Sequence, residues 1–126
     1  VADISSKDVV YDLGSGDGRV LIEAARKGAQ AKGWEINPFL VFWTNCLRWR
    51  HHMRKSVSIS SRDYLSADLS KATVVFVYNL PRFMPNIEKK CKKELKKGTK
   101  IITYKFRLQT FTPIKKTNDN IFIYQV

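Results

Sequence analysis

Cysteine is scarce in this 126-residue sequence. Cys46 and Cys91 are the only two, and they stand far apart, with no CxxC pair and no Cys/His cluster at metal-ligand spacing. A disulfide framework and a metal site are therefore both unexpected, and a reducing, cytoplasmic setting fits. No apolar run approaches the roughly 20 residues of a membrane span, and the opening VADISSKD has no secretory hydrophobic region. Repeats, low-complexity tracts and linkers are also missing. With 126 residues and 44% hydrophobic content, the expectation is a single domain over 1–126.

Acidic residues are few: 11 Asp and Glu against 23 Lys and Arg give a net charge of +12. Such a balance attracts nucleic acid, anionic membranes or acidic protein surfaces. Its densest run, EKKCKKELKK at 88–97, places Ile87, Cys91 and Leu95 at i, i+4 and i+8. That spacing predicts an amphipathic helix whose lysines occupy the solvated faces.

What is abundant is alternation between β-prone and helix-like segments. VVYDL ends in glycines, and RVLIEAARKG follows with helical spacing closed by Gly28. AKGWEI predicts a second strand; NPFLVFWTNCLRWRHHMRK predicts a second helix with Asn37 at the N-cap and Pro38 at its first position. VSIS is a third strand, TVVFVYNL a central one buried on both faces, and TKIITYKF a fifth after Gly98. FTPIKK and NIFIYQV, joined through TNDN, predict a terminal hairpin. The whole reads as an α/β fold with right-handed βαβ crossovers, a mostly parallel sheet and an antiparallel C-terminal edge.

In such sheets ligands bind beyond the carboxyl ends of the strands, where the strand order reverses. There the chain places Gly14, Gly16 and Gly18, useful only where the backbone takes positive φ or approaches something closely. Asp12 and Asp17 flank the glycines, which repels the pyrophosphate that a helix N-terminus otherwise welcomes. Glu35 ends the second strand, where an acid takes ribose hydroxyls. Asp63, beside Tyr64, suits an exocyclic amine. A ligand with an amine, a ribose and an adenine but no phosphate describes S-adenosylmethionine. Taken singly, Asp12 and Asp17 also read as turn-formers, Glu35 as a surface charge and Asp63 as a helix cap.

VVYDLGSGDGRV, WEINP and SRDYL together resemble the first three motifs of class I S-adenosylmethionine-dependent methyltransferases. With the Trp- and Arg-rich helix and KKELKKGTKIITYKF, the chain is similar over its whole length to one branch. That branch is the protein lysine methyltransferases related to the mitochondrial ATP synthase c-subunit lysine methyltransferase and the crenarchaeal broad-specificity enzymes. The resemblance implies a Rossmann-like sandwich with a seven-stranded, mostly parallel sheet, and transfer of a methyl group to a lysine amine of a protein substrate. It implies that Asp12, Gly14, Gly16 and Gly18 hold the methionine end, that Glu35 takes the ribose hydroxyls, and that Asp63 and Tyr64 serve the adenine, with Asp17 and Asn37 also among the cofactor-binding residues. Asn79 would lie near the methyl group as the catalytic residue orienting the amine. Relatives carry a helix before the first strand, and animal members a membrane-anchoring segment. This chain starts eight residues before Val9, so the expectation is a fragment or an unusually open site.

Two other readings stay open. YNLP loosely resembles the motif of enzymes that methylate adenine or amide nitrogens, without its second proline and stacking aromatic. The charge, and the aromatic and basic residues of WTNCLRWRHHMRK, keep RNA or DNA as a substrate. Against that, Phe39, Phe42, Cys46 and Trp49 repeat at helical spacing, which predicts that they pack on the sheet with His51 and His52 at the surface. A non-catalytic S-adenosylmethionine-binding module is the remaining reading.

Overall fold

Val9–Leu13 forms β1, and its last four residues are buried, as a run apolar on both faces requires. The computed structural model describes residues 4–16, 18–78 and 81–126. Asp17, Asn79 and Leu80 lie outside the described residues. After β1 come α1 (Arg19–Arg26), β2 (Gln30–Trp34), α2 (Pro38–Arg50) and β3 (Val57–Ser60), then β4 (Val74–Val77), α3 (Met84–Glu94) and β5 (Lys100–Tyr104). The short β6 (Lys115–Lys116) and β7 (Ile121–Gln125) close the order.

The seven strands make one sheet in the order β3-β2-β1-β4-β5-β7-β6. From β3 through β5 neighbours pair in parallel, and β7 runs antiparallel to both β5 and β6. The chain steps outward from β1 to β3 and then returns to lay β4 on the other side of β1. The strand order reverses there, so the carboxyl ends of β1 and β4 flank the opening that such folds use for ligands.

Each face of the sheet carries its own core. On one, Leu21 and Ile22 of α1 pack with Val10, Val74 and Ile102. On the other, Ile87 and Cys91 of α3 pack with Leu13, Val75, Ile101 and Tyr124. Ile87 and Cys91 thus face inward at the predicted spacing; Leu95, also buried, caps the helix, which stops at Glu94 rather than running to Lys97. Glu88 is buried too: its Oε1 accepts the Thr110 N–H at 2.8 Å and the Thr110 hydroxyl at 2.7 Å, fastening α3 to the segment after β5.

The predicted packing of the α2 aromatics on the sheet is overturned. Phe39 is 82% exposed and Trp49 65%, with Phe42 and Trp43 exposed between them. The helix instead turns Thr44, fully buried, toward the sheet, and Leu47 packs on the core beside α1. Thr44 lies against Gly18, so close that a Cβ there would sit 2.6 Å from its Oγ1. A helix seated that tightly needs a small side chain at the contact, which rotates the aromatic stripe outward.

Several ends are also shorter than predicted. α2 stops at Arg50, with His52 in the left-handed region at φ 56°. β5 stops at Tyr104 because Lys105 turns left-handed at φ 68°. No described helix is long and apolar enough to cross a membrane.

Candidate active site

The glycine turn leaves β1 by a sharp fold of the backbone: Gly14, Gly16 and Gly18 all have positive φ, at 85°, 57° and 80°. The N–H groups of Gly14 and Ser15 both donate to the Trp34 carbonyl at 3.0 Å, pinning the turn to the end of β2. Gly16 has open space where a Cβ would be, so its conformation, not crowding by the protein, calls for glycine there. Gly18 N-caps α1 and packs on Thr44.

Glu35 is the hinge of the arrangement. Its Oε1 accepts the Gly16 N–H at 2.8 Å and its Oε2 the Asn37 N–H at 3.0 Å, so one carboxylate ties the turn to the start of α2. Each oxygen keeps a further lone pair for a hydroxyl. The Asn37 side chain is spent on the helix cap, accepting from the Phe39 N–H at 3.0 Å; its part in the site runs through Glu35. Asp63 likewise caps a 3-10 turn, its Oδ1 accepting the Leu65 N–H at 3.0 Å. Burial, and then the nearby Asp63 charge, push the pKa of the Tyr64 hydroxyl up.

These residues open on two adjoining cavities rather than one cleft. The first, about 460 Å³, is lined by Glu35, Ile36, Asp63, Tyr64 and Phe83, among others. The second, about 620 Å³, holds Asp12, Gly16, Phe76, Ile102 and Thr103 in its wall. Gly14 and Tyr78 line both. The first offers a carboxylate for a diol and an aromatic and apolar surround with a second carboxylate, which fits a nucleoside. The second is mostly apolar. It includes two buried hydroxyls, Ser15 Oγ and Thr103 Oγ1, with no hydrogen-bond partner among the described residues, and groups of that kind are satisfied by a ligand or water. Asp17 and Asn79 fall outside the described residues, and Gly18 lines neither cavity.

Ser15, Thr103, Tyr104 and Asp119 were not singled out by the sequence reading. Ser15 sits inside the glycine motif, and Thr103 and Tyr104 end the strand next to β4, so position within the strand order was the available signal. Among the described residues no group of three or more His, Cys, Asp or Glu is placed to hold a metal ion.

The model of the ANTKMT methyltransferase domain matches residues 12–115. The ATP synthase c-subunit lysine N-methyltransferase of Xenopus laevis is 37% identical over 122 residues, covering 94% of this chain and 50% of that protein. A protein-lysine N-methyltransferase of Saccharolobus islandicus is 33% identical over 115 residues, covering 90% of this chain and 71% of that one. A crystal structure of an RNA methyltransferase from Salinibacter ruber in complex with S-adenosyl-L-homocysteine superposes with a TM-score of 0.94 at 34% identity, covering 98% of this chain and 84% of that chain. The chain spans about half the length of the ATP synthase c-subunit lysine N-methyltransferases it matches.

Proposed function

Since the chain belongs to the ANTKMT methyltransferase domain family, we propose that it binds S-adenosylmethionine and transfers its methyl group to the side-chain amine of a lysine in a protein. One observation carries the cofactor half of this reading. Glu35, at the carboxyl end of β2, is immobilised by the Gly16 and Asn37 N–H groups, which prepares it to receive a ribose diol without loss of side-chain freedom on binding. The acceptor half is supported by relatives named as lysine N-methyltransferases.

Asp12, Gly14 and Gly16 would surround the methionine end, Glu35 the ribose, and Asp63 with Tyr64 the adenine; Asp17 and Asn79 keep the roles expected from the sequence. Held there, S-adenosylmethionine would supply an electrophilic sulfonium methyl group to the acceptor amine. The chain orients that amine and presents it uncharged. The apolar wall of Phe76, Val77 and Ile102 favours the neutral form by desolvation. A cytoplasmic location belongs to the same proposal, and detection of Cys46 or Cys91 in a disulfide in the native protein would count against it.

A second reading, methylation of RNA, is favoured by the exposed aromatics of α2 beside Arg50 and His51, which suit base stacking and phosphate contact. The Salinibacter ruber structure is described as an RNA methyltransferase. Calorimetric titration of S-adenosylmethionine into wild type and Glu35→Ala tests the cofactor site. Saturable binding that weakens at least tenfold in the variant is expected; wild-type binding that the substitution leaves unchanged would remove Glu35 from the site. Transfer of a labelled methyl group onto protein or onto RNA then separates the two acceptors.

A further inference from the structure

Two tyrosines stand at the carboxyl ends of neighbouring parallel strands. Tyr78 follows β4 and Tyr104 ends β5, and their ring centroids are 5.2 Å apart at an interplanar angle of 59°. Both are partly open to solvent, at 51% and 43% exposure. Both line the 620 Å³ cavity, and Tyr78 also lines the cavity that holds Glu35. Tyr78 therefore stands where the two cavities meet, with Tyr104 beside it on the rim of the larger.

A cation already sits on this pair. The Lys105 Nζ lies 5.9 Å from the Tyr78 centroid and 5.7 Å from that of Tyr104, within the range in which an ammonium is attracted to a ring face. The same lysine sits in an unusual backbone conformation. Lys105 holds φ 68°, a region disfavoured for a long side chain, and its N–H donates to the Asn120 carbonyl at 2.9 Å. Strain of this kind concentrates at functional sites. Asp12, Asp119 and Arg19 also line this cavity.

We propose that Tyr78 and Tyr104 form the docking site for the alkylammonium end of the acceptor lysine, and that Lys105 is its resident competitor. The role assigned to that ammonium rests on the methyltransferase reading above. The acceptor arrives charged, is received on the two ring faces, and displaces Lys105. It gives up its proton to solvent water at this open rim, and passes uncharged to the apolar wall behind. The pair is a positioning element: it acts before the reaction and favours mono- and dimethylated lysines as well, since these remain cations.

The test is a titration of tetramethylammonium chloride into protein carrying isotope-labelled tyrosine, with sodium chloride at matched ionic strength as the control. Ring signals of Tyr78 and Tyr104, and not of buried Tyr11 and Tyr124, are expected to shift saturably. Removing the competitor in Lys105→Gln, or in Lys105→Gly, which also accepts the left-handed backbone, is expected to tighten binding roughly twofold to fivefold. Tyr104→Phe keeps the ring and keeps binding, whereas Tyr104→Leu loses it. With poly-L-lysine as acceptor, Tyr104→Leu raises KM while kcat is retained, and Tyr104→Phe restores KM. No saturable shift, or equal affinity in wild type and both Lys105 variants, overturns the proposal, as does a fall in kcat at unchanged KM. Calorimetry with S-adenosylmethionine on the same samples keeps the two readings apart. Cofactor binding without tetramethylammonium binding sinks the docking site alone; the reverse result leaves the ammonium site standing and removes the methyltransferase reading.

Discussion

Gly18 and Thr44 are in contact so intimate that a methyl group on the glycine would lie 2.6 Å from Thr44 Oγ1 and 2.7 Å from its Cγ2. This contact seats α2 against the glycine turn and fixes which side of the helix faces the sheet. Gly18→Ala adds both a left-handed alanine and an overlap, and is expected to cost about 2 to 4 kcal/mol. Pairing it with Thr44→Ala removes most of the overlap and is expected to recover about half. Urea unfolding of the single and double variants measures the coupling. Equal loss with and without Thr44→Ala would show that backbone strain alone is responsible.

The buried carboxylate of Glu88 holds both polar groups of Thr110. Glu88→Ala removes both Thr110 hydrogen bonds and is expected to destabilise by about 1 to 3 kcal/mol. Hydrogen exchange at the Thr110 amide should accelerate first, because the segment following β5 loses its tie to α3 before the sheet opens. Unchanged exchange there would mean the segment is held by other contacts.

Burial, reinforced by Glu94 and Glu88, pushes the Cys91 thiol up to about 12. At pH 8 it is therefore neutral and inaccessible, and a thiol reagent should modify the half-buried Cys46 and spare Cys91 until the protein unfolds. The linkage has a definite sign: the folded state holds this proton above pH 9.0, where the unfolded chain releases it. Stability contributed by Cys91 is complete below that pH and declines as pH rises toward about 12, by up to about 1.4 kcal/mol per pH unit. The slope for wild type against Cys91→Ala isolates this contribution; identical slopes would refute it.

Because Phe39 and Trp49 are largely exposed, Phe39→Ser and Trp49→Ser are expected to change stability by less than about 0.5 kcal/mol. Ile87→Ala, fully buried between α3 and the sheet, is expected to lose about 2 to 5 kcal/mol. Chemical denaturation compares the three. A large loss in the aromatic variants would return those side chains to the core, as their spacing first suggested.

That spacing shows where legibility stopped. α2 carries two periodic sets, the aromatics and the pair Thr44 and Leu47, and a moment along the sequence favours the larger, more apolar one. The choice was made by a contact with Gly18, distant in sequence and set by the turn after β1. Glu35 was legible as an acid at a strand end, but its two backbone partners were not, because the turn and the start of α2 converge only once β1 and β2 pair. Likewise the acids at the strand ends were visible, while the separation of Asp12 from Glu35 and Asp63 into two adjoining cavities was not. Tyr104 joined the site only once β5 lay beside β4.

The sequence by itself determined the alternation of strands and helices, the central place of β4, the glycine turn with its acids, and the antiparallel edge. These follow from local propensity, hydrophobic period and turn chemistry, which act over a few residues. Tertiary structure alone decided the outward face of α2, the locking of Glu35 and the meeting of Tyr78, Tyr104 and Lys105 at one rim. Each depends on residues brought together by strand order, and a contact between distant segments leaves no period in the chain that makes it.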